Sequence, residues 1–329
     1  MRGSMTIKEV ADLAGVSPAA VSRYLNGGPL SEEKKKVIEA TIKKTGYQPN
    51  MAAQVMRTGK VKQVGVLVPR VDSEAVSLIL SGITEELHHQ GYLPVLGCYY
   101  GDDEKEKEFL LAMEKNQVAG AVVMAMNLTP EKEKLYRSLS FPVSFTGQNF
   151  KGFPCVYHDD YHAMAELMTK MIARGRKHIA YIGGLEDDLQ AGQARRRGAE
   201  MAYMKAGFKK ESLVVEIADF VPEDGYKAAK KILKEHPETD GILCASDIMA
   251  IGAIEAVREA GRTVGKDIGV AGVDDFWMDR YIEVPLTSVH LYFRECGLRA
   301  AGLLMEQMKG DVATQQICLD FSIAERGSL

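Results

Sequence analysis

Apolar side chains first recur at helical spacing. Ile7, Val10, Ala11 and Ala14 occupy i, i+3, i+4 and i+7, which puts them on one face of a short helix over residues 6–14. Gly15-Val16-Ser17 then reads as a turn, with Ser17 a good N-cap and Pro18 suited to a first helical position, where its missing N–H leaves no bond unmade. The pattern predicts a second helix from Pro18 to about Leu25. After Asn26-Gly27-Gly28-Pro29, Ser31 is placed to cap a third helix that turns Val37, Ile38, Thr41 and Ile42 inward and stops at Gly46. Three such helices make one small domain, expected over residues 5–49.

From residue 63 the period changes. Short β-branched runs at Val64–Val68, Leu93–Gly97, Gly120–Met124, Val143–Phe145, Ile179–Ile182, Leu213–Ile217, Gly241–Cys244 and Ile268–Ala271 alternate with longer amphipathic stretches such as residues 74–90. Apolar runs joined by helices predict strands of a parallel sheet with right-handed crossovers. The runs are too many for one such sheet. The expected fold is therefore a small all-α helix-turn-helix headpiece plus an α/β region, residues 62–329, of two doubly wound parallel-sheet lobes that part near residues 154–162. A last strand-like run spans Ile317–Ile323. Residues 50–61 are polar and read as a linker, although Ala52, Ala53, Gln54 and Met56 tolerate a helix if something stabilises it.

Composition narrows the class. With 46% apolar and 26% charged residues the chain belongs with globular rather than disordered sequences. No stretch approaches the roughly 18 apolar residues of a membrane span, and no long apolar block marks a signal peptide. A cytoplasmic protein with no membrane partner is expected. The leading Met-Arg-Gly-Ser reads as a remnant of an expression tag, which puts the native start at Met5. Cys98, Cys155, Cys244, Cys296 and Cys318 are odd in number and form no C-x-x-C pair, so small buried residues are expected rather than disulfides or a zinc site. Charge divides unevenly: residues 1–62 carry 11 Lys/Arg against 5 Asp/Glu, and the remainder 30 against 40. Only the first segment suits a polyanion.

In a helix-turn-helix the second helix enters the DNA major groove with its N-terminal residues at base edges. Those positions are Pro18, Ala19, Ala20, Ser22 and Arg23. Arg23 is the long donor among them, and either forks onto guanine O6 and N7 or neutralises a phosphate. Lys34, Lys35 and Lys36 read as a solvated face or as sequence-neutral phosphate ligands. Open α/β lobes bind ligands beyond the carboxyl ends of their strands, which nominates Ser73, Gln148, Arg195, Phe220, Asp247 and Asp274 for one cleft. Carboxylates and a guanidinium hold hydroxyls directionally, and a flat Phe covers the apolar face of a sugar ring. Plainer readings stand beside these: Ser246 and Asp247 cap a helix, Asp274-Asp275 makes a turn, and Phe220 belongs to the core. Arg195-Arg196-Arg197 near a helix start opposes the macrodipole, so acidic or polar groups are expected nearby.

No catalytic constellation competes. His158-Asp159-Asp160-Tyr161-His162 sets two histidines four apart beside carboxylates, a spacing that could ligate a metal, but the general base of H-E-x-x-H is not there, and Asp159 or Asp160 as an N-cap is the simpler reading. His88-His89 reads as an exposed helix face. No nucleophile elbow, P-loop or G-x-G-x-x-G occurs, so neither catalysis, a metal nor a cofactor is expected.

The run T-I-K-E-V-A-D-L-A-G-V-S-P-A-A-V-S-R-Y-L-N over residues 6–26, with Gly46-Tyr47-Gln48-Pro49-Asn50 and Val64-Gly65-Val66-Leu67-Val68-Pro69, resembles the lactose-repressor/galactose-repressor (LacI/GalR) family. The likeness runs on to Arg326-Gly327-Ser328. It implies a homodimer that reads a near-palindromic double-stranded operator, with Thr6, Ser17, Asn26, Tyr47 and Asn50 joining the second helix in the contact. It also implies a hinge helix at about residues 50–58, where Ala53 contacts DNA and Met56 is the apolar lever that wedges a base step in the minor groove. Periplasmic-binding-protein-like lobes follow, the first about 62–158 plus 290–318 and the second about 159–289 plus 319–329. Their implied effector ligands are Arg195, Phe220, Asp247, Asp274 and Phe293. Ala20 stands where the family usually has Thr, Gln54 where many members have Arg, and Gly147 where some have Asp.

The expected function is a repressor of a carbohydrate-utilisation operon whose operator affinity answers to a mono- or oligosaccharide. Induction by lobe closure is the expected mode, and a corepressor fits the sequence equally well. With the chain stopping at Leu329, no tail for tetramers is expected. Two rivals are a global carbon-control regulator of the same family that uses a phosphorylated protein corepressor, and a solute-binding protein, which needs an export signal and no headpiece.

Overall fold

The computed structural model describes residues 5–25, 28–47, 62–310 and 314–329, in two compact units divided between residues 61 and 62. The first unit holds α1 (Ile7–Ala14), α2 (Pro18–Leu25) and α3 (Glu32–Thr45). Thr6 opens α1 with a reciprocal cap: its hydroxyl accepts from the Glu9 N–H at 3.3 Å, and its own N–H donates to Glu9 Oε2 at 2.6 Å. The Ser17 hydroxyl accepts from the Ala20 N–H at 3.2 Å. Val10, Ala11, Ala14, Ala20, Val21, Ile38 and Tyr47 form the core. Two expectations need correction on α3. Ser31 makes no side-chain cap bond, and Val37 is exposed. So small a core takes one narrow stripe from this helix, centred on Ile38.

The second unit contains two six-stranded sheets. The first is built from β1 (Gln63–Val68), β2 (Leu93–Cys98), β3 (Gly120–Met124), β4 (Val143–Thr146), β5 (Cys155–His158) and β11 (Gln316–Leu319), in the order β11-β5-β4-β3-β1-β2 and parallel throughout. The second comprises β6 (Ile179–Gly183), β7 (Val214–Ile217), β8 (Gly241–Cys244), β9 (Gly269–Asp274), β10 (Thr287–Leu291) and β12 (Phe321–Ala324), in the order β12-β10-β9-β8-β6-β7, with only β12 antiparallel. Central strands such as β3 and β6 are buried along their whole length, which is why they read as unbroken apolar runs. Among the described residues no helix is long and apolar enough to cross a membrane.

The chain passes between the lobes three times, at Asp159, after β10 near Tyr292, and at Asp320. The second passage, expected at about residue 290, falls after Leu291 because β10 pairs with β9 through His290. The single run expected over Ile317–Ile323 is two strands in different sheets, broken at Asp320. Cys318 is exposed and Cys98 half-buried, whereas Cys155, Cys244 and Cys296 are buried as expected.

Helix pairs close over the sheets backbone to backbone. In α4 (Glu74–His89) and α11 (Phe293–Met308), a methyl on Gly82 would lie 2.0 Å from the Arg294 carbonyl oxygen, and one on Gly297 would lie 2.0 Å from that of Ile79. Gly225 and Gly252 make the same reciprocal approach between α9 (Pro222–Glu235) and α10 (Asp247–Glu259). Gly297→Ala is expected to force α4 and α11 apart and destabilise the second unit by about 1–3 kcal/mol. Gly302→Ala, on the same helix with nothing within 4 Å of the added methyl, is expected to stabilise it by about 0.4–1 kcal/mol. Urea unfolding midpoints of the two variants check both signs.

Candidate functional site

On the first unit, α2 buries Ala20 and Val21 and leaves Ser17, Pro18, Ala19 and Arg23 exposed, with Ser22 half-exposed. Ala19, Ser22 and Arg23 share a face by their i, i+3, i+4 spacing. Ala20, nominated for a methyl contact, points into the core instead, and Tyr47 is buried beside it. Thr6 is exposed at the start of α1. Asn26, Asn50, Ala53 and Met56 lie outside the described residues.

In the second unit a cavity of about 420 Å³ opens between the two lobes at the carboxyl ends of their strands. Ser73 and Gln148 reach it from the first lobe, Arg195, Phe220 and Asp274 from the second, and Phe293 from the passage between them. Phe276 and Ile79 add apolar wall.

Arg195 is the buried centre of the cavity wall. Its Nε donates to Asp160 at 2.6 Å, Nη1 lies 3.5 Å from Asp274, and Nη1 also donates to the Ala245 carbonyl. Burial opposes the charge on Arg195, yet Asp160 and Asp274 hold the guanidinium firmly protonated. These are the acids expected beside the arginine run. Arg196 is met in turn by Glu186 and Glu200. Arg195 follows a π-helical turn, Leu189–Ala194, a local irregularity that often marks function. That turn is capped by Asp188, whose carboxylate accepts the N–H groups of Gln190 and Ala191 and, across the cleft, Gln148 Nε2 at 3.0 Å. Burial raises Asp188 above the usual carboxylate range.

Asp274 and Asp275 both have positive φ, +130° and +56°, a strained pair for residues other than glycine. Burial pushes the Asp274 carboxyl up to about 8, against the pull of Arg195. Asp247 explains how the strain is held. Nominated as an effector ligand, it is instead fully buried behind the loop, accepting from Asp275 N–H at 2.6 Å, Phe276 N–H at 3.4 Å and the Ser288 hydroxyl at 2.7 Å. Its neighbour Ser246 lines the cleft, with a buried hydroxyl that has no partner. The two residues lie on opposite sides of the same strand-to-helix junction.

Asp247 faces a second buried carboxyl, Asp279, and burial lifts Asp279 to about 6 despite nearby Arg326. The folded state keeps that proton where the unfolded chain, with its aspartate near the usual 3.9, has released it. Stability from this group is therefore full in acid and lost as pH climbs from about 4 through about 6. Asp279→Asn is expected to flatten that fall, read as the change in urea midpoint between pH 5 and pH 7.

Besides Asp188 and Ser246, His158 and Asp160 line the cleft without having been nominated for it. His158, considered for a metal with His162, is 4% exposed, with Nε2 unpartnered and burial holding the ring towards its neutral form. His162 is exposed and bound to Asp159, the N-cap of α7 (Asp160–Ala173). Asp160, read as a capping alternative, is the partner of Arg195.

Residues 6–50 match the model for bacterial regulatory proteins of the lacI family, and residues 168–329 match that for a periplasmic binding protein-like domain. HTH-type transcriptional regulator RegA of Clostridium saccharobutylicum is 30% identical, covering 98% of this chain and 98% of RegA. The ribose operon repressor of Bacillus subtilis is 31% identical, covering 92% of each chain. In fold, the chain superposes on the lac repressor dimer bound to operator and the anti-inducer ONPF with a TM-score of 0.90, at 22% identity and 99% coverage of both chains. A helix-turn-helix unit joined to a two-lobed parallel-sheet unit, with relatives matched from end to end, makes this chain a member of the LacI family of DNA-binding transcription regulators.

Proposed function

We propose that this protein is a homodimeric repressor of a carbohydrate-utilisation operon, in which residues 5–49 read the operator and a sugar held by residues 62–329 relieves repression. One observation carries the reading: six side chains nominated as effector ligands, Ser73, Gln148, Arg195, Phe220, Asp274 and Phe293, line one cavity between the lobes. The convergence of hydrogen-bonding groups with three phenylalanines, the third being Phe276, suits a ligand with hydroxyls at its rim and apolar ring faces. A relative that is named a ribose operon repressor supports the same class. Ser17, Pro18, Ala19, Ser22 and Arg23 on α2, with Thr6, are the DNA-facing set. Two apolar surfaces support the dimer: a depression among Tyr226, Ile251, Ile254 and Ile282, and the edge strand β2 with exposed Leu93, Val95 and Leu96.

Mobility shift of fragments flanking the gene, with and without sugars, tests the reading. Selective binding released by a sugar is the expected result. Tighter binding on adding sugar would overturn induction, and no preference over random duplex would overturn the operator reading.

A further inference from the structure

We propose that the interlobe cleft selects an uncharged polyhydroxylated effector over its phosphorylated or carboxylated counterparts, with Gln148 Oε1, His158 Nε2 and Ser246 Oγ taking its hydroxyls. This rests on the sugar reading above and narrows it.

The charge lining the cavity is the first argument. Five acidic residues line it, Asp72, Glu74, Asp160, Asp188 and Asp274, against two guanidinium-bearing ones, Arg70 and Arg195. Both cations are already engaged: Arg70 lies 2.7 Å from Asp72, and Arg195 lies 2.6 Å from Asp160 and 3.5 Å from Asp274. No lysine lines the cavity among the described residues. Side-chain recognition of a phosphate or carboxylate most often uses a free fork or ammonium. Here an incoming anion would meet an acidic wall whose cations are spoken for. Burial raises Glu74, Asp188 and Asp274, the last to about 8, so part of this wall is protonated near neutral pH; a cleft that disfavours ionisation of its own carboxyls disfavours an incoming anion for the same reason.

The second argument is the orphaned set itself. Gln148, His158 and Ser246 are 2%, 4% and 2% exposed, and Gln148 Oε1, His158 Nε2 and Ser246 Oγ have no hydrogen-bond partner. Gln148 gives its Nε2 to Asp188, so its free oxygen can only accept. A carboxylate or fully ionised phosphate oxygen has no proton to give it. Hydroxyls both donate and accept, so several of them on one ligand satisfy the amide oxygen, the imidazole nitrogen and the serine. The three atoms come from both lobes, so a ligand that meets all of them bridges the cleft.

The test uses the full chain and its sole tryptophan, Trp277, which lies between the cavity-lining Phe276 and Met278. Its fluorescence is followed during titration with matched sets: glucose, glucose 6-phosphate and glucuronate; ribose and ribose 5-phosphate; cellobiose and cellobionate. In at least one set the neutral member is expected to bind at least tenfold more tightly than its charged partners. His158→Gln and Ser246→Ala are expected to weaken the neutral ligand several-fold. The half-buried Glu74→Gln is expected to shrink the neutral-to-charged ratio, a change that loss of fold would not produce, and a thermal melt of each variant checks folding. A charged member binding as tightly as its neutral partner overturns this inference and leaves the sugar reading intact. Absence of saturable binding by every member overturns the sugar reading, and this inference falls with it.

Discussion

Arg195→Ala is expected to destabilise the second unit by about 3–5 kcal/mol and to abolish its response to effector, because it removes one side of a buried ion pair and leaves the other unanswered. Asp160 and Asp274 are each under a tenth exposed and both lean on this guanidinium. Without it, Asp160 must take up a proton or draw in water, since burial already pushes Asp274 up to about 8. The loss is therefore expected to shrink as pH falls, since acid supplies that proton. Arg195→Lys is expected to rescue only part of the stability, because an ammonium cannot fork between two carboxylates and the Ala245 carbonyl. Urea unfolding at pH 5 and pH 8, with effector titration of the folded variant, measures both effects. Equal stability of Arg195→Ala and the parent chain would contradict the role assigned to the pair.

Arg23→Ala is expected to cost about 1–3 kcal/mol at each half-site if the side chain reads guanine, and so about 2–6 kcal/mol for a dimer. That corresponds to a weakening between roughly thirtyfold and twenty-thousandfold. Arg23 is exposed on α2 and alanine is the stronger helix former, so the headpiece is expected to stay folded. The same experiment separates the two roles that the sequence leaves open. A base-reading arginine, once removed, takes with it discrimination between operator and random duplex. Removal of a phosphate-neutralising arginine weakens both alike and lowers the salt slope by about one for each phosphate no longer neutralised. Binding isotherms at several salt concentrations on the two duplexes decide between them.

Much of this architecture was legible because it follows from periodicity. The three headpiece helices and eight of the strands announce themselves through apolar spacing and turn residues, and ligand residues then follow from the rule that clefts form beyond strand ends. The two strands that escaped notice, Cys155–His158 and Thr287–Leu291, are short and mix His, Tyr, Ser and Thr with their apolar residues. Each is also held by a strand encoded much later, β11 or β12, a pairing that no local pattern encodes. The exchange of Ser246 for Asp247 has a similar origin. Adjacent residues at a strand-to-helix junction face opposite ways, and spacing cannot say which one turns outward. His158 was hidden by His162, whose i, i+4 separation suggested a shared purpose that the end of β5 divides between a buried wall and open solvent.

The three passages between the lobes have a consequence for how the protein is made. Five strands of the first sheet are encoded before residue 159, but its outermost member, β11, is encoded beyond residue 315, and β12 finishes the second sheet just after it. On the ribosome, chain emerging N-terminus first cannot complete either lobe until nearly all of it is out. Until then the flanks of β5 and β10 lack their last neighbours, offering unpaired backbone to any other nascent chain. Truncation before residue 316 is thus a defect shared by both halves, and chaperone demand should peak late in translation.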